Sequence, residues 1–119
     1  MYRKVVETYT KTFKLKLADT EEEKRRGLMY VKQMIDYDGM LFIYDKEGYY
    51  SIWMKNTFMK LDILFLDSNF KVVDMYLSAT PHSLETIRSK VLCKYIVELK
   101  QGLVDKYNIQ INSVINFIN

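Results

Sequence analysis

At 119 residues, with 49% hydrophobic and 14% aromatic content, the chain is sized for one domain with a packed core and is too apolar for a disordered segment. Its net charge of +3 comes from basic residues scattered among carboxylates, which argues against a nucleic-acid-binding role. The single cysteine, Cys93, excludes an internal disulfide and a Cys-rich metal site, and no apolar run approaches the roughly 18 residues a bilayer span requires.

Residues 1–10 show no clear apolar face and read as a loosely ordered lead-in to a single domain over 11–118. Phe13, Leu15 and Leu17 alternate with Lys14 and Lys16, the period-two pattern of a half-buried strand. Thr20 and Glu23 then have capping-box spacing. Acidic residues come first and Lys24-Arg25-Arg26 last, and Gly27 follows, which together predict a helix of about two turns.

Asp38-Gly39 signals a turn into the apolar run Met40–Tyr44. Asp45–Gly48 reads as a second turn, so residues 40–55 are expected to form a hairpin with Trp53 and Lys55 on one face of its second arm. After Asn56-Thr57, the run Leu61–Leu66 is apolar on both sides apart from Asp62, as suits a central, doubly covered strand. Asp67-Ser68-Asn69 turns the chain into Phe70–Leu77 to make another hairpin.

Residues 78–90, which hold the only Pro and the only His, are expected to be a loop over one end of the sheet. Tyr95–Leu99 reads as a strand, Leu103–Tyr107 as a short helix, and residues 109–111 and 114–118 as closing strands. No helix looks long enough for a regular crossover between parallel strands. The expected fold is therefore mainly β, an antiparallel sandwich or partly open barrel with two short helices.

The segments LADTEEEKRRGLMY (17–30), DGMLFIY (38–44), SIWMKNT (51–57), LDILFLD (61–67) and YIVELKQG (95–102) resemble, in order, those of a bacterial and archaeal family, domain of unknown function 192. The likeness runs from Phe13 to Ile118, and WMKNT followed by LDI is its most specific part. Lys60 stands where the family commonly has Pro, and Asn112-Ser113 where it commonly has a Gly-Asp turn. The resemblance implies a jelly-roll-like domain and carries no established activity. Many members of the family are exported with a leader absent from this sequence, so the chain as given reads as soluble, cytoplasmic or exported.

Trp53, Lys55, Asn56, Thr57 and Asp62 bring a cation, an amide, a hydroxyl and a carboxylate beside an aromatic wall, the elements of a pocket for a small polar molecule or glycan. The first expectation is a non-enzymatic binding module at this hairpin. A second is an enzyme using Lys55 and Asp62 as an acid/base pair, and a third is a structural or accessory domain that docks on a protein. The same residues also have a purely structural reading: a self-bonded Asn-Thr turn, a Lys55–Asp62 pair and a core tryptophan. No catalytic nucleophile, cofactor or metal site is expected. Cys93 reads as a buried small hydrophobe unconnected with His82, and the seven methionines as core filler.

Overall fold

The computed structural model describes residues 2–6 and 12–118. The strands are β1 (Tyr2–Val6), β2 (Thr12–Ala18), β3 (Gly39–Gly48), β4 (Ser51–Ile52), β5 (Leu61–Leu66), β6 (Val72–Ala79), β7 (Ile87–Arg88), β8 (Cys93–Lys100) and β9 (Asn116–Ile118). Two short helices, α1 (Glu21–Arg26) and α2 (Leu103–Lys106), complete the inventory. Seven strands form one sheet in the order β6-β5-β8-β3-β2-β1-β9, and β4 pairs with β7 in a separate ribbon.

The fold is mainly β, as expected, but the sheet is mixed. β2 and β3 run parallel, Leu15 beside Gly39 and Leu17 beside Leu41, while the other pairings are antiparallel. The expectation of a purely antiparallel fold underestimated the connection over residues 19–38. A two-turn helix followed by irregular chain is long enough to carry the strand back to the same end. Residues 2–6, expected to be part of a lead-in, pair instead with β2 and β9. Residues 7–10 lie outside the described residues.

The helix start forms as its sequence predicts. Thr20 Oγ1 accepts from the Glu23 amide at 3.0 Å, and Glu23 Oε1 accepts from the Thr20 amide at 3.1 Å. Those bonds hold the Glu23 carboxyl below its ordinary range. The expected 40–55 hairpin does not form. β3 runs through to Gly48, and Ser51–Ile52 leaves it to pair with Ile87–Arg88 from the long loop.

Both faces of the central strands are covered. One face carries Phe13, Leu15, Leu41, Leu64, Leu66, Val97 and Leu99 against Val104, Ile109 and Ile115. The other carries Phe42, Ile63, Phe65 and Ile96 against Leu28, Met34, Tyr37 and Met54. Every residue of β5 is consequently buried, as the apolar run predicts. The edge strands approach each other through Lys71 and Val114, with the Ile115 amide donating to Phe70 O at 2.9 Å, but the sheet does not close into a barrel.

The backbones of β3 and β8 come close together at Gly39. A β-carbon there would collide with the carbonyl oxygen of Glu98 and crowd Leu99 Cα at 3.1 Å. Gly39→Ala must push the two central strands apart. It is expected to cost about 3 kcal/mol or more, read as a lower midpoint in urea unfolding.

Candidate functional site

The segment after β4 is held from two sides by backbone bonds. The Tyr30 amide donates to Asn56 O at 2.8 Å, the His82 amide to Thr57 O at 3.2 Å, and the Met54 amide to Ser83 O at 3.2 Å. Met54 is fully buried and roots the segment in the core. Tyr30, Asn56 and His82 all have positive φ (65°, 53° and 65°), a conformation that non-glycine residues adopt only where the surroundings impose it. The three loops therefore fix one another.

This arrangement places the end of α1 opposite the WMKNT segment and leaves a cavity of about 140 Å³ between them. Arg25, Arg26 and Gly27 form one side; Ser51, Ile52, Trp53 and Thr57 form the other. Phe42, Tyr44 and Glu98 line it from the sheet. Trp53 is 41% exposed, so its ring is a wall of the opening and not core. Lys55 lays its ammonium over that ring, 5.1 Å from the centroid. Thr57 is buried and donates its hydroxyl hydrogen to Lys55 O at 3.2 Å, which leaves its oxygen able to accept. Asn56 turns its amide away to the Tyr30 hydroxyl at 2.8 Å.

Asp62 does not join this group. On β5, Leu61 and Ile63 face the cavity side and Leu64 the other, so alternation turns Asp62 to the opposite face of the sheet. There its carboxylate accepts from the backbone amides of Ser78 (3.0 Å), Gly102 (2.8 Å) and Val104 (3.4 Å). It thus caps the start of α2 and ties β6 to the chain after β8. No ion pair joins Asp62 to Lys55 among the described residues; the ion pair found there is Lys24–Glu21 at 3.1 Å. A Lys55–Asp62 acid/base pair is thereby excluded. His82 packs on the Phe58 ring, centroids 5.2 Å apart, and Cys93 lies in the core. Burial pushes the Cys93 thiol up, so it is no thiolate nucleophile.

The residue that sequence reasoning missed is Glu98. It sits mid-strand on β8 between Met40 of β3 and Ile63 of β5, and it is only 4% exposed. Its carboxyl has no hydrogen bond or ion pair among the described residues, and burial pushes its pKa up to about 8. Nearby Lys24 is already engaged. Its ammonium donates to Ile43 O at 3.0 Å, pairs with Glu21 and lies 4.4 Å from the Tyr44 ring centre. Tyr44 in turn stacks on Tyr50, centroids 3.7 Å apart, and burial raises its hydroxyl. The available signal was one charge inside the apolar run of YIVELK.

The chain belongs to the family of domain of unknown function 192, described as "Uncharacterized ACR", which matches residues 4–117. A UPF0127 protein of Thermococcus sibiricus is 32% identical over 108 residues, covering 89% of this chain and 67% of that protein. Among solved structures, a Sinorhizobium meliloti 1021 protein, provisionally described as a transcription regulator, superposes with a TM-score of 0.87 at 30% identity. That match covers 98% of this chain and 92% of the other. A Novosphingobium aromaticivorans protein of unknown function gives 0.88 at 25% identity, covering 98% of this chain and 84% of its own. No helix among the described residues is long and apolar enough to cross a membrane.

Two measurements separate the roles of the carboxyls. Glu98 keeps its proton up to about pH 8 in the folded chain but releases it near 4.5 once unfolded, so the folded state binds more protons in between. Stability must then fall as pH rises through that window, by about 3 kcal/mol at pH 7. Thermal unfolding between pH 5 and 9 should show the fall in the wild type and a flatter profile in Glu98→Gln. Asp62→Ala strands three inward-facing amides and is expected to cost about 3 kcal/mol in urea unfolding.

Proposed function

We propose that this domain is a non-enzymatic binding module for a small polar, sugar-like ligand, seated in the cleft between the end of α1 and the WMKNT segment. The observation that carries the reading is Glu98, a buried carboxyl that lines a cavity and has no hydrogen-bond or ion-pair partner among the described residues. Leaving such a group unmatched costs stability, and retaining it is understandable where a ligand supplies the missing hydrogen bonds. Trp53 offers the flat apolar face on which the CH side of a sugar ring packs, and Thr57 an acceptor for a hydroxyl. Lys55 supports the indole from beside it. Asn56 acts through Tyr30, holding the rim in place.

The geometry gives the module reading more than it gives an enzyme. The cleft lining contains no Ser–His, Cys–His or paired-carboxylate arrangement. The test is a titration of the labelled protein with a panel of monosaccharides and polyols, following the amides of Gly27, Ile52 and Thr57 by NMR. A double-stranded DNA fragment in the same panel examines the description attached to the Sinorhizobium neighbour. Trp53→Ala is expected to weaken sugar binding by about tenfold while leaving the unfolding midpoint nearly unchanged, because the ring is substantially exposed. Unchanged affinity in that variant would remove the indole from the site.

A further inference from the structure

We propose that the ligand of this cleft is an acidic sugar or similar hydroxylated carboxylate, its anionic group held at the α1 end by Arg25 and Arg26 while the buried Glu98 meets it from the sheet side. The inference rests on the cleft reading above and names the charge class of its ligand.

The charge distribution of the lining is the first reason. Lys24, Arg25 and Arg26 stand along the cavity, and Glu98 is the one carboxyl that lines it. Lys24 is committed to Ile43 O and Glu21, whereas no ion pair or hydrogen bond holds the exposed Arg25 and Arg26 side chains among the described residues. Two arginines lining one opening, without an ion pair among the described residues, favour an oxyanion, which can accept their N–H donors.

The environment of Glu98 is the second reason. Across the sheet it is flanked by Met40 and Ile63, neither of which carries charge. Among the described residues, the titratable groups around it are Tyr44 from β3, on which both Glu98 and Cys93 act, and Lys24, Arg25 and Arg26 from α1, which line the same cavity. Tyr44 and Cys93 are both held neutral by burial. Among the described residues no cation bonds to the carboxyl, and burial keeps its proton on at neutral pH, so it has a donor to offer. A carboxylic acid facing a bound carboxylate forms a short, charge-assisted hydrogen bond. Two ionised carboxylates in the same place would repel each other. A cationic ligand would meet the arginines first.

Three sugars with the same ring distinguish the possibilities: D-glucuronate, D-glucose and D-glucosamine, titrated into labelled protein at about pH 6.5 and pH 9. Glucuronate should bind several-fold more tightly than glucose at the lower pH. In the wild type its affinity should drop about tenfold at the higher pH, as expected for a donor that ionises near 8. Glu98→Gln keeps a donor at that position and should abolish the pH dependence. The Arg25→Ala, Arg26→Ala double variant should lose most of the preference for glucuronate over glucose. Glucose or glucosamine shifting the Gly27, Ile52 and Thr57 amides at least as tightly as glucuronate would overturn the charge assignment and leave the cleft reading intact. No shift with any of the three would overturn both. A glucuronate affinity that falls with pH equally in Glu98→Gln would remove Glu98 from the contact.

Discussion

The structure depends on the pairing of β8 with β3 on one side and β5 on the other. Gly39 lets β3 approach so closely that its neighbour's carbonyl occupies the space where any other residue would carry a side chain. That close fit favours the observed register of β3 on β8, and register sets the face on which each side chain emerges. The pairing of β5 with β8 sets Asp62 beside Leu99 and Glu98 beside Ile63, and so sends the two carboxyls of the central strands to opposite faces and different fates.

Those fates show how little residue type says about role. Asp62 and Glu98 are both nearly inaccessible, in adjacent strands, among aliphatic neighbours. Asp62 meets three backbone amides that would otherwise be stranded, two at the start of α2 and one in β6, and so it works as a fastener. Glu98 meets methionine, isoleucine and a cavity, and it stays protonated into the neutral range. A buried carboxyl whose oxygens are already bonded to amides has nothing left to offer, whereas one without such partners leaves chemistry available to a visitor.

What the sequence discloses follows how local each signal is. The α1 start is legible because its two bonds join residues three apart, and the burial of β5 because an apolar run on both faces has one sensible home. Residues 40–55 mislead because a polar turn between apolar runs suggests a hairpin. The pairing of Ser51–Ile52 with Ile87–Arg88 is decided by contacts more than thirty residues away. Trp53 and Thr57 were picked out by their unusual company and do line the cleft; Asp62 was chosen by proximity in sequence, and strand alternation sends it elsewhere. Glu98 gives no such signal beyond being one charge in an aliphatic strand. No local pattern reveals that both sides of that strand are roofed.

The pairing of β1 with β9 also bears on how the chain reaches this state. Lys4 sits opposite Ile118 and Val6 opposite Asn116, so the outermost ladder joins segments more than a hundred residues apart. Closing so long a loop is entropically costly before any hydrogen bond forms to offset it. The ladder can be built only once the last strand has left the ribosome, whereas β5 and β6 can meet early as a hairpin. Assembly is therefore expected to proceed outward from the middle, on a timescale nearer milliseconds to seconds than microseconds.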